Sequence, residues 1–297
     1  MQPRNKNITY FGVPFRSGCN REGAQHAPYW LFQALELSAF NSRVVPVPKE
    51  KEPLSDQITN GIMNYDAVLQ MIEALRENVK NVLDYGNRVV VLGGDHSIAM
   101  GSIAGVLRNY PNVGVIWFDA HTDINTEATS PSGNAHGMPL AALMGLCESD
   151  INIQSHLLNP ENVYWIGARD IDIGEWETIK RLGIEDHVYT AEKVRQIGMA
   201  AVMHQIRKAF QDKGVEQLHL SFDIDGMDPM IVPATGTPVK MGLTEIECVT
   251  FIDELSEGMP QLVSMDFVEY NPLMDDPNYT TGKWCANTLS KLCKLFD

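Results

Sequence analysis

Residues 113–123 read VGVIWFDAHTD, a buried strand that runs directly into two acids and a histidine. The run Val113–Phe118 is continuously apolar, which is typical of a strand that is covered on both faces of a parallel sheet. Asp119 follows at once, so we expect the polar residues to lie at the carboxyl end of this strand. In open α/β sheets, ligands bind beyond that end of the strands.

The same pattern recurs along the chain. Apolar runs end in polar motifs at RVVVLGGDHS (88–97), SFDIDGMD (221–228) and DFVEYNP (266–272), while Asp66–Leu83, Met199–Phe210 and Trp284–Phe296 carry apolar residues at helical spacing. Continuous apolar strands that alternate with helices predict a parallel sheet with helices on both faces. We find no linker or repeat, and therefore expect one domain over residues 1–297.

Composition narrows the function classes. The 297 residues carry a formal net charge of −15, which repels nucleic acid and anionic membranes. No apolar run approaches a membrane span, and Met1–Asn7 lacks the apolar region of a signal peptide, so we expect a cytoplasmic protein. The five cysteines are scattered and form no CxxC pair, which argues against a disulfide framework or a zinc knuckle.

Three of the strand ends supply side chains that can bind metal ions. Asp119, His121 and Asp123 follow one another at every second position, as do Asp223 and Asp225, and an extended chain directs such residues to one side. Uncompensated, four aspartates in one crevice would repel each other, and cations relieve that repulsion. The predicted metal ligands are His96, Asp119, His121, Asp123, Asp223 and Asp225.

The ligand types favour a pair of ions. Six ligands are too many for one tetrahedral zinc, and an oxygen-rich set without thiolate favours two Mn²⁺ ions, with Co²⁺, Ni²⁺ or Fe²⁺ as possible substitutes. Ions about 3.5–4 Å apart can share one water and lower its pKa from 15.7 to about 7. Any one of these residues alone could be a turn or a cap, as we expect for Asp95 and Asp228. Three motifs at three strand ends favour a two-metal hydrolase.

Five motifs resemble the arginase branch of the ureohydrolase family: GGDHS (93–97), DAHTDIN (119–125), SGNAHG (132–137), SFDIDGMDP (221–229) and PATGTP (233–238). The resemblance runs from the first strand to the last helix. It implies a three-layer α/β/α fold around a central, mainly parallel sheet of eight strands. It also implies a homotrimer or homohexamer.

The resemblance also implies a role for each matching residue. His96, Asp119, Asp123 and Asp223 would hold one Mn²⁺, and Asp119, His121, Asp223 and Asp225 the other. His136 matches a proton-shuttling histidine, and Glu269 matches the acid that receives a guanidinium group. The positions that match contacts to the substrate's α-carboxylate and α-amino groups are Asn125, Ser132, Asn134 and Asp172; Glu175 and Thr237 match secondary positions.

The implied reaction is hydrolysis of L-arginine to urea and L-ornithine by a metal-bridging hydroxide, with Asp123 and His136 moving protons. Three alternatives stay open. The first is an agmatinase or another guanidino-acid ureohydrolase; the loop SPSGN (130–134) argues against agmatinase, which needs no contacts to an α-carboxylate. The second is a non-catalytic arginine-binding protein on the same fold. The third is a deacetylase-like zinc hydrolase, against which the full two-metal ligand set argues.

Overall fold

In the computed structural model of this chain, which describes residues 8–37, 41–48, 58–152 and 156–296, eight parallel strands form one sheet. Ten strands lie in the described residues: β1 (Ile8–Val13), β2 (Ser42–Val44), β3 (Ile58–Thr59), β4 (Ile62–Met63), β5 (Arg88–Gly93), β6 (Gly114–Phe118), β7 (Val163–Ile166), β8 (Val188–Tyr189), β9 (Gln217–Asp223) and β10 (Gln261–Val268). Strands β3 and β4 pair separately as a short antiparallel hairpin. The others are ordered β2-β1-β5-β10-β9-β6-β7-β8.

Helices cover both faces of this sheet. They are α1 (Ala27–Ala34), α2 (Tyr65–Asp84), α3 (Ala99–Asn109), α4 (Pro139–Leu143), α5 (Ile173–Leu182), α6 (Ala191–Ile197), α7 (Met199–Asp212), α8 (Glu245–Leu255) and α9 (Thr280–Cys293). Successive residues of β5 pack into different cores, Val89 and Val91 with α2–α5, Val90 and Leu92 with α1 and α6–α9. This alternation confirms the predicted three-layer α/β/α fold with its eight-stranded sheet.

The strand order brings the predicted site motifs together. The four strands that precede them, β5, β10, β9 and β6, are consecutive in the sheet, so their carboxyl ends form one continuous edge. Phe118, Phe222 and Phe267 are register partners on these strands and stack in a row, with ring centroids 4.3 and 5.3 Å apart. This aromatic row fixes the strands laterally one residue below Asp119 and Asp223.

Most predicted element bounds agree with the structure to within a few residues. The helix predicted over Trp284–Phe296 begins earlier, at Thr280, and its α-helical part ends at Cys293. Its first turn contains Thr281 and Gly282, which do not follow an apolar period, so the sequence pattern did not indicate where the helix begins.

Within the described ranges, every helix is too short or too polar to serve as a membrane span. A single domain over residues 1–297 stays a prediction.

Candidate metal centre and substrate cleft

Two clusters of potential metal ligands lie at the carboxyl edge of the four central strands. One comprises His96, Asp119 and Asp223, and the other comprises Asp119, His121 and Asp225. In the first, His96 Nδ1 lies 2.9 Å from Asp119 Oδ2 and 3.1 Å from Asp223 Oδ2. In the second, His121 Nδ1 lies 3.2 Å from Asp119 Oδ1 and 3.3 Å from Asp225 Oδ2. The two oxygens of Asp119 therefore face different clusters.

The histidine His96 is oriented as a metal ligand. Its Nε2 lies 2.8 Å from Ser221 Oγ and its ring stacks on Trp117, with centroids 4.1 Å apart. If Nε2–H donates to Ser221, then Nδ1 carries the lone pair. Among the described residues no well-aligned hydrogen bond satisfies this buried nitrogen, although carboxylate oxygens surround it. A lone pair and carboxylates that converge in this way match the donor set of a divalent cation.

Electrostatics also favour cations here. Burial raises the pKa of Asp123 to about 6, and the charge of Asp119 adds to this. Burial, followed by the charges of Asp225 and Asp119, raises the pKa of Asp223 well above its usual range. Carboxylates held together in a dry site resist ionisation unless positive charge accompanies them. The residues present therefore fit two divalent ions, which confirms the predicted metal-binding character of these strand ends.

The positions of Asp123 and Asp223 differ from the ligand sets that the resemblance implies, in which Asp123 holds one ion and Asp223 holds both. Asp123 belongs to neither three-residue cluster, but its Oδ2 lies 3.2 Å from His96 Nδ1. Asp223 belongs to the His96 cluster alone, and its Oδ1 accepts the main-chain N–H of Asp225 at 2.8 Å. Asp119 is thus the residue that the two clusters share, while bridging by Asp223 stays a prediction.

Glu269 is tied to the chain around His96 in both directions. Its N–H donates to Gly94 O at 2.9 Å, and its Oε1 accepts the N–H of His96 at 2.8 Å. Glu269 adopts a left-handed backbone with φ 65°, as does Asp123 with φ 49°. Such backbone costs on the order of 1–3 kcal/mol for most residues and concentrates at functional sites.

His136 lies beside Glu269, its Nδ1 3.2 Å from Glu269 Oε1. Burial lowers the pKa of His136, but the hydrogen bond and charge of Glu269, with Asp123 and Asp95, outweigh burial and raise it to about 9. A histidine with this pKa is largely protonated at neutral pH.

This pKa predicts a pH-dependent stability in the metal-free protein. Because the folded-state pKa of about 9 exceeds the unfolded value of about 6.5, protonated His136 stabilises the fold fully below pH ~6.5, and this is lost as pH rises through ~9. We expect His136→Asn to lower the free energy of unfolding by up to about 3 kcal/mol at low pH and by almost nothing above pH ~9.5. Denaturant titrations of both proteins from pH 6 to 10 measure this; a pH-independent difference would contradict it.

A cleft of about 140 Å³ opens above the two clusters. The predicted substrate residues that line it are Asn125, Ser132, Asn134, Asp172, Glu175 and Thr237, together with His136 and Asp123. Asp170, Ser130 and Pro131 also line it and were not predicted, because an acid just before a helix and two ordinary loop residues carry no distinguishing signal.

Hydrogen bonds order the rim of this cleft. Asn125 Nδ2 donates to Asp172 Oδ2 at 2.8 Å, and Asn125 Oδ1 accepts from Thr129 Oγ1 at 2.9 Å. Ser132 Oγ accepts the N–H of Asn134, which leaves the hydroxyl hydrogen of Ser132 to point elsewhere. Asn134 Oδ1 is buried and without a hydrogen-bond partner among the described residues.

Glu175 and Thr237 hold neighbouring parts of the site. The two oxygens of Glu175 accept the main-chain N–H groups of Ile124 and Asp172, at 3.0 and 2.9 Å. Thr237 Oγ1 donates to Asp225 Oδ2 at 2.9 Å. In this structure Glu175 therefore braces Ile124 and Asp172, and Thr237 braces Asp225, a member of the second cluster.

Two supporting residues were missed in the sequence, although a signal for them exists. Ser221 contacts His96, and Trp117 Nε1 donates to Asp119 Oδ2 at 2.9 Å. Each lies two positions before a predicted ligand, Ser221 before Asp223 and Trp117 before Asp119. Strand side chains alternate, so residues two apart share a face, and the ligands' own spacing pointed to both.

This chain is similar to known proteins in sequence and in fold. A sequence profile of the arginase family matches residues 6–293. The arginase of Entamoeba histolytica is 39% identical over 302 residues, which cover 98% of each chain. Its crystal structure in complex with L-ornithine superposes with a TM-score of 0.86 at 38% identity, covering 96% of this chain and 98% of that one. The Bacillus caldovelox arginase structure gives a TM-score of 0.87 at 38% identity, covering 96% and 97%.

The parallel sheet and the two ligand clusters at its carboxyl edge define an α/β protein with a binuclear type of metal site. The family match and the near full-length identity then specify the class further. This chain belongs to the arginase family and is a hydrolase of that family, which confirms the family predicted from the five motifs.

Proposed function

We propose that this chain is an arginase that hydrolyses the guanidinium group of L-arginine to urea and L-ornithine with two Mn²⁺ ions. The observation that carries the proposal is the pair of ligand clusters sharing Asp119 at the base of a narrow cleft. The Entamoeba histolytica and Bacillus caldovelox relatives, which are 39% identical over nearly the full length, are arginases, and a structure of the first contains L-ornithine.

The proposed ligands divide between two ions. His96, Asp119, Asp123 and Asp223 would hold one, and Asp119, His121, Asp223 and Asp225 the other. Two bound divalent ions would lower the pKa of a coordinated water to about 7 and so make a nucleophile available at neutral pH. The oxygen-rich ligand set supports Mn²⁺, with Co²⁺, Ni²⁺ or Fe²⁺ as substitutes.

Glu269 is proposed to receive the substrate's guanidinium. A guanidinium is planar and permanently charged, so a carboxylate can hold it by charge-assisted hydrogen bonds. Glu269 is buried, and its Oε1 is fixed by the N–H of His96. A carboxylate anchored to the segment that carries a metal ligand would place the guanidinium carbon at a defined position relative to that ligand.

Asp123 and His136 are proposed to move protons. Asp123 Oδ2 lies beside His96 within the centre, where it can accept a proton as the nucleophile attacks. The ornithine amine must leave protonated. His136 is largely protonated at neutral pH and bonds Glu269 through Nδ1, so Nε2 is the atom that can donate to the departing amine.

The rim of the cleft is proposed to recognise the amino-acid end of the substrate. Ser132 can donate its hydroxyl hydrogen to an α-carboxylate, and Asn125 and Asn134 contribute amides. Asp172 and the exposed Asp170 add negative charge that suits an α-ammonium group. Glu175 and Thr237 would act in part by bracing their neighbours, as their contacts with Ile124 and Asp225 suggest.

Turnover of L-arginine and agmatine after Mn²⁺ loading tests the proposal. Agmatine lacks the α-carboxylate, and each lost hydrogen bond to a charged group costs about 1.5–3 kcal/mol, so we expect kcat/KM to favour L-arginine by at least about 100-fold. Ser132→Ala should lower kcat/KM for L-arginine about 10-fold and leave agmatine turnover nearly unchanged. Preference for agmatine would refute the specificity; arginine binding without urea release would favour a non-catalytic protein.

Two wider expectations form part of the proposal. We propose a homotrimer or homohexamer, which is the assembly that the resemblance of the five motifs to the arginase branch implies. We also propose a cytoplasmic location, which the five free cysteines favour because thiols persist in reducing compartments.

A further inference from the structure

Arg169 follows β7 and binds main-chain carbonyls with its whole guanidinium group. Its Nη2 donates to Asp225 O and Val239 O, both at 2.7 Å, and to Met227 O at 3.1 Å. Its Nη1 contacts Gly167 O at 3.0 Å and Gly226 O at 3.1 Å, and its Nε contacts Lys240 O at 3.1 Å. These six contacts join residues after β7, the turn after β9 and the distal part of the loop 225–242.

The main chain of Arg169 is joined to the same region from the other side. Its N–H donates to Ala120 O at 2.7 Å, and the N–H of Ala120 donates to Asp225 Oδ1 at 3.1 Å. Ala120 lies between Asp119 and His121 in the chain. Arg169 therefore contacts both segments that supply the second ligand cluster, Asp119–His121 through its backbone and Asp225 through its side chain.

We propose that Arg169 is a positioning residue for the cluster formed by Asp119, His121 and Asp225. It fixes the main chain of Asp225 against that of Ala120, so that the carboxylate of Asp225 stays opposite His121. The loop that Arg169 closes also carries Thr237, whose hydroxyl donates to Asp225 Oδ2. The His96 cluster takes no bond from this guanidinium, so its ion should not depend on Arg169 in the same way.

The positive charge of Arg169, taken alone, predicts that removing this residue tightens metal binding, whereas the positioning role predicts that it weakens metal binding. The charges of Asp225 and Asp119 both act on the Arg169 guanidinium. A fixed positive charge close enough to interact with Asp225 and Asp119 would also repel a cation bound between them. If Arg169 acted only through its charge, its removal would therefore strengthen metal binding at the second cluster. If it positions Asp225, its removal would weaken that binding, and the sign of the change separates the two roles.

Mn²⁺ titration of the metal-stripped full chain, followed by calorimetry and metal analysis, tests this inference. It rests on the proposed function only in that the chain binds two ions, and it needs no activity. We expect Arg169→Met to bind Mn²⁺ at the cluster of Asp119, His121 and Asp225 about 10–100-fold more weakly than wild type, which is the usual effect of losing a group that orients a metal ligand. Binding at the His96 cluster should change less than about 3-fold. Arg169→Lys, which cannot reach six carbonyls at once, should show a smaller loss of the same sign.

Arg195→Met is the matched control. Arg195 is exposed and bonds Met241 O and Gly242 O at the end of the same loop, but contacts no predicted ligand. In the Arg195→Met protein, both ligand clusters should bind Mn²⁺ with wild-type affinity. If Arg169→Met fails to fold, as judged by circular dichroism and thermal melting, Arg169→Lys gives the decisive titration.

A double-mutant cycle with Asp225→Asn identifies the site affected. If Arg169 acts through Asp225, adding Arg169→Met to Asp225→Asn should weaken Mn²⁺ binding by less than about a further 2-fold. Full additivity would overturn the inference, as would unchanged binding, tighter binding, or equal weakening of both ions in Arg169→Met. A wild-type chain that binds two Mn²⁺ without releasing urea would refute the proposed function and leave this inference standing.

Discussion

Asp119→Ala should lose both metal ions and release urea only at the background rate. Each oxygen of Asp119 faces a different ligand cluster, so its removal takes one ligand from each at once. Loss of a group that only orients a metal ligand already costs roughly 10–100-fold in metal affinity or activity, and loss of a ligand that both clusters share should exceed that range. Metal analysis after Mn²⁺ loading and desalting, combined with a urea assay, measures both effects.

His136→Asn is the matched control for this variant. His136 lines the same cleft but belongs to neither cluster, so this protein should keep two ions while its turnover falls. Asp119→Ala that retained two ions would show that Asp119 is not shared. Loss of metal from His136→Asn would mean that His136 supports the clusters and does not serve as a proton donor.

Glu269→Gln should lower kcat/KM for L-arginine by about 100-fold or more while both ions remain bound. The substitution keeps the size of the side chain and an oxygen that can accept from His96, but it removes the charge. Hydrogen bonds to charged groups contribute about 1.5–3 kcal/mol each, and a guanidinium can make two with a carboxylate. Steady-state kinetics on the Mn²⁺-loaded protein test this.

Glu175→Gln is the corresponding acid-to-amide control. Burial, with the charge of Asp123, raises the pKa of Glu175 to about 7, and its oxygens already accept two main-chain N–H groups. Glu175→Gln keeps one oxygen that can accept and loses the hydrogen bond to the other N–H, and one such bond contributes about 0.5–1.5 kcal/mol, so kcat/KM should fall by about 10-fold at most. Wild-type kinetics in Glu269→Gln would refute the anchoring role. Loss of metal from Glu269→Gln would instead show that this residue acts mainly by holding His96.

The sheet and the clusters of potential metal ligands could be predicted from the sequence because both depend on local pattern. Val113–Phe118 is continuously apolar, and the acids follow it at a period of two, so strand type and facing direction can be read without other elements. The order of strands could not be derived in this way. That β10 lies between β5 and β9 depends on contacts such as the Phe222–Phe267 stack, which join distant parts of the chain.

The contacts around the ligands were the least predictable part. Arg169 has no local pattern that marks it, because its partners are main-chain carbonyls up to 71 residues away. Asp170 lines the cleft only because the segment after β7 turns toward it. By contrast, the assignment of His136, Glu269 and the loop 125–134 relied on the family resemblance, since a histidine, an acid and a polar loop are each common without such a role.

The left-handed backbone at Asp123 and Glu269 has a consequence for how this protein can be improved. Glycine adopts positive φ at little cost, so the backbone conformation, taken apart from the side-chain contacts, favours glycine at both positions. Each such exchange would delete a carboxylate that the proposed reaction needs. At these two sites, relief of backbone strain and retention of the carboxylate therefore oppose each other, and a stabilised variant of this chain should be sought elsewhere in the fold.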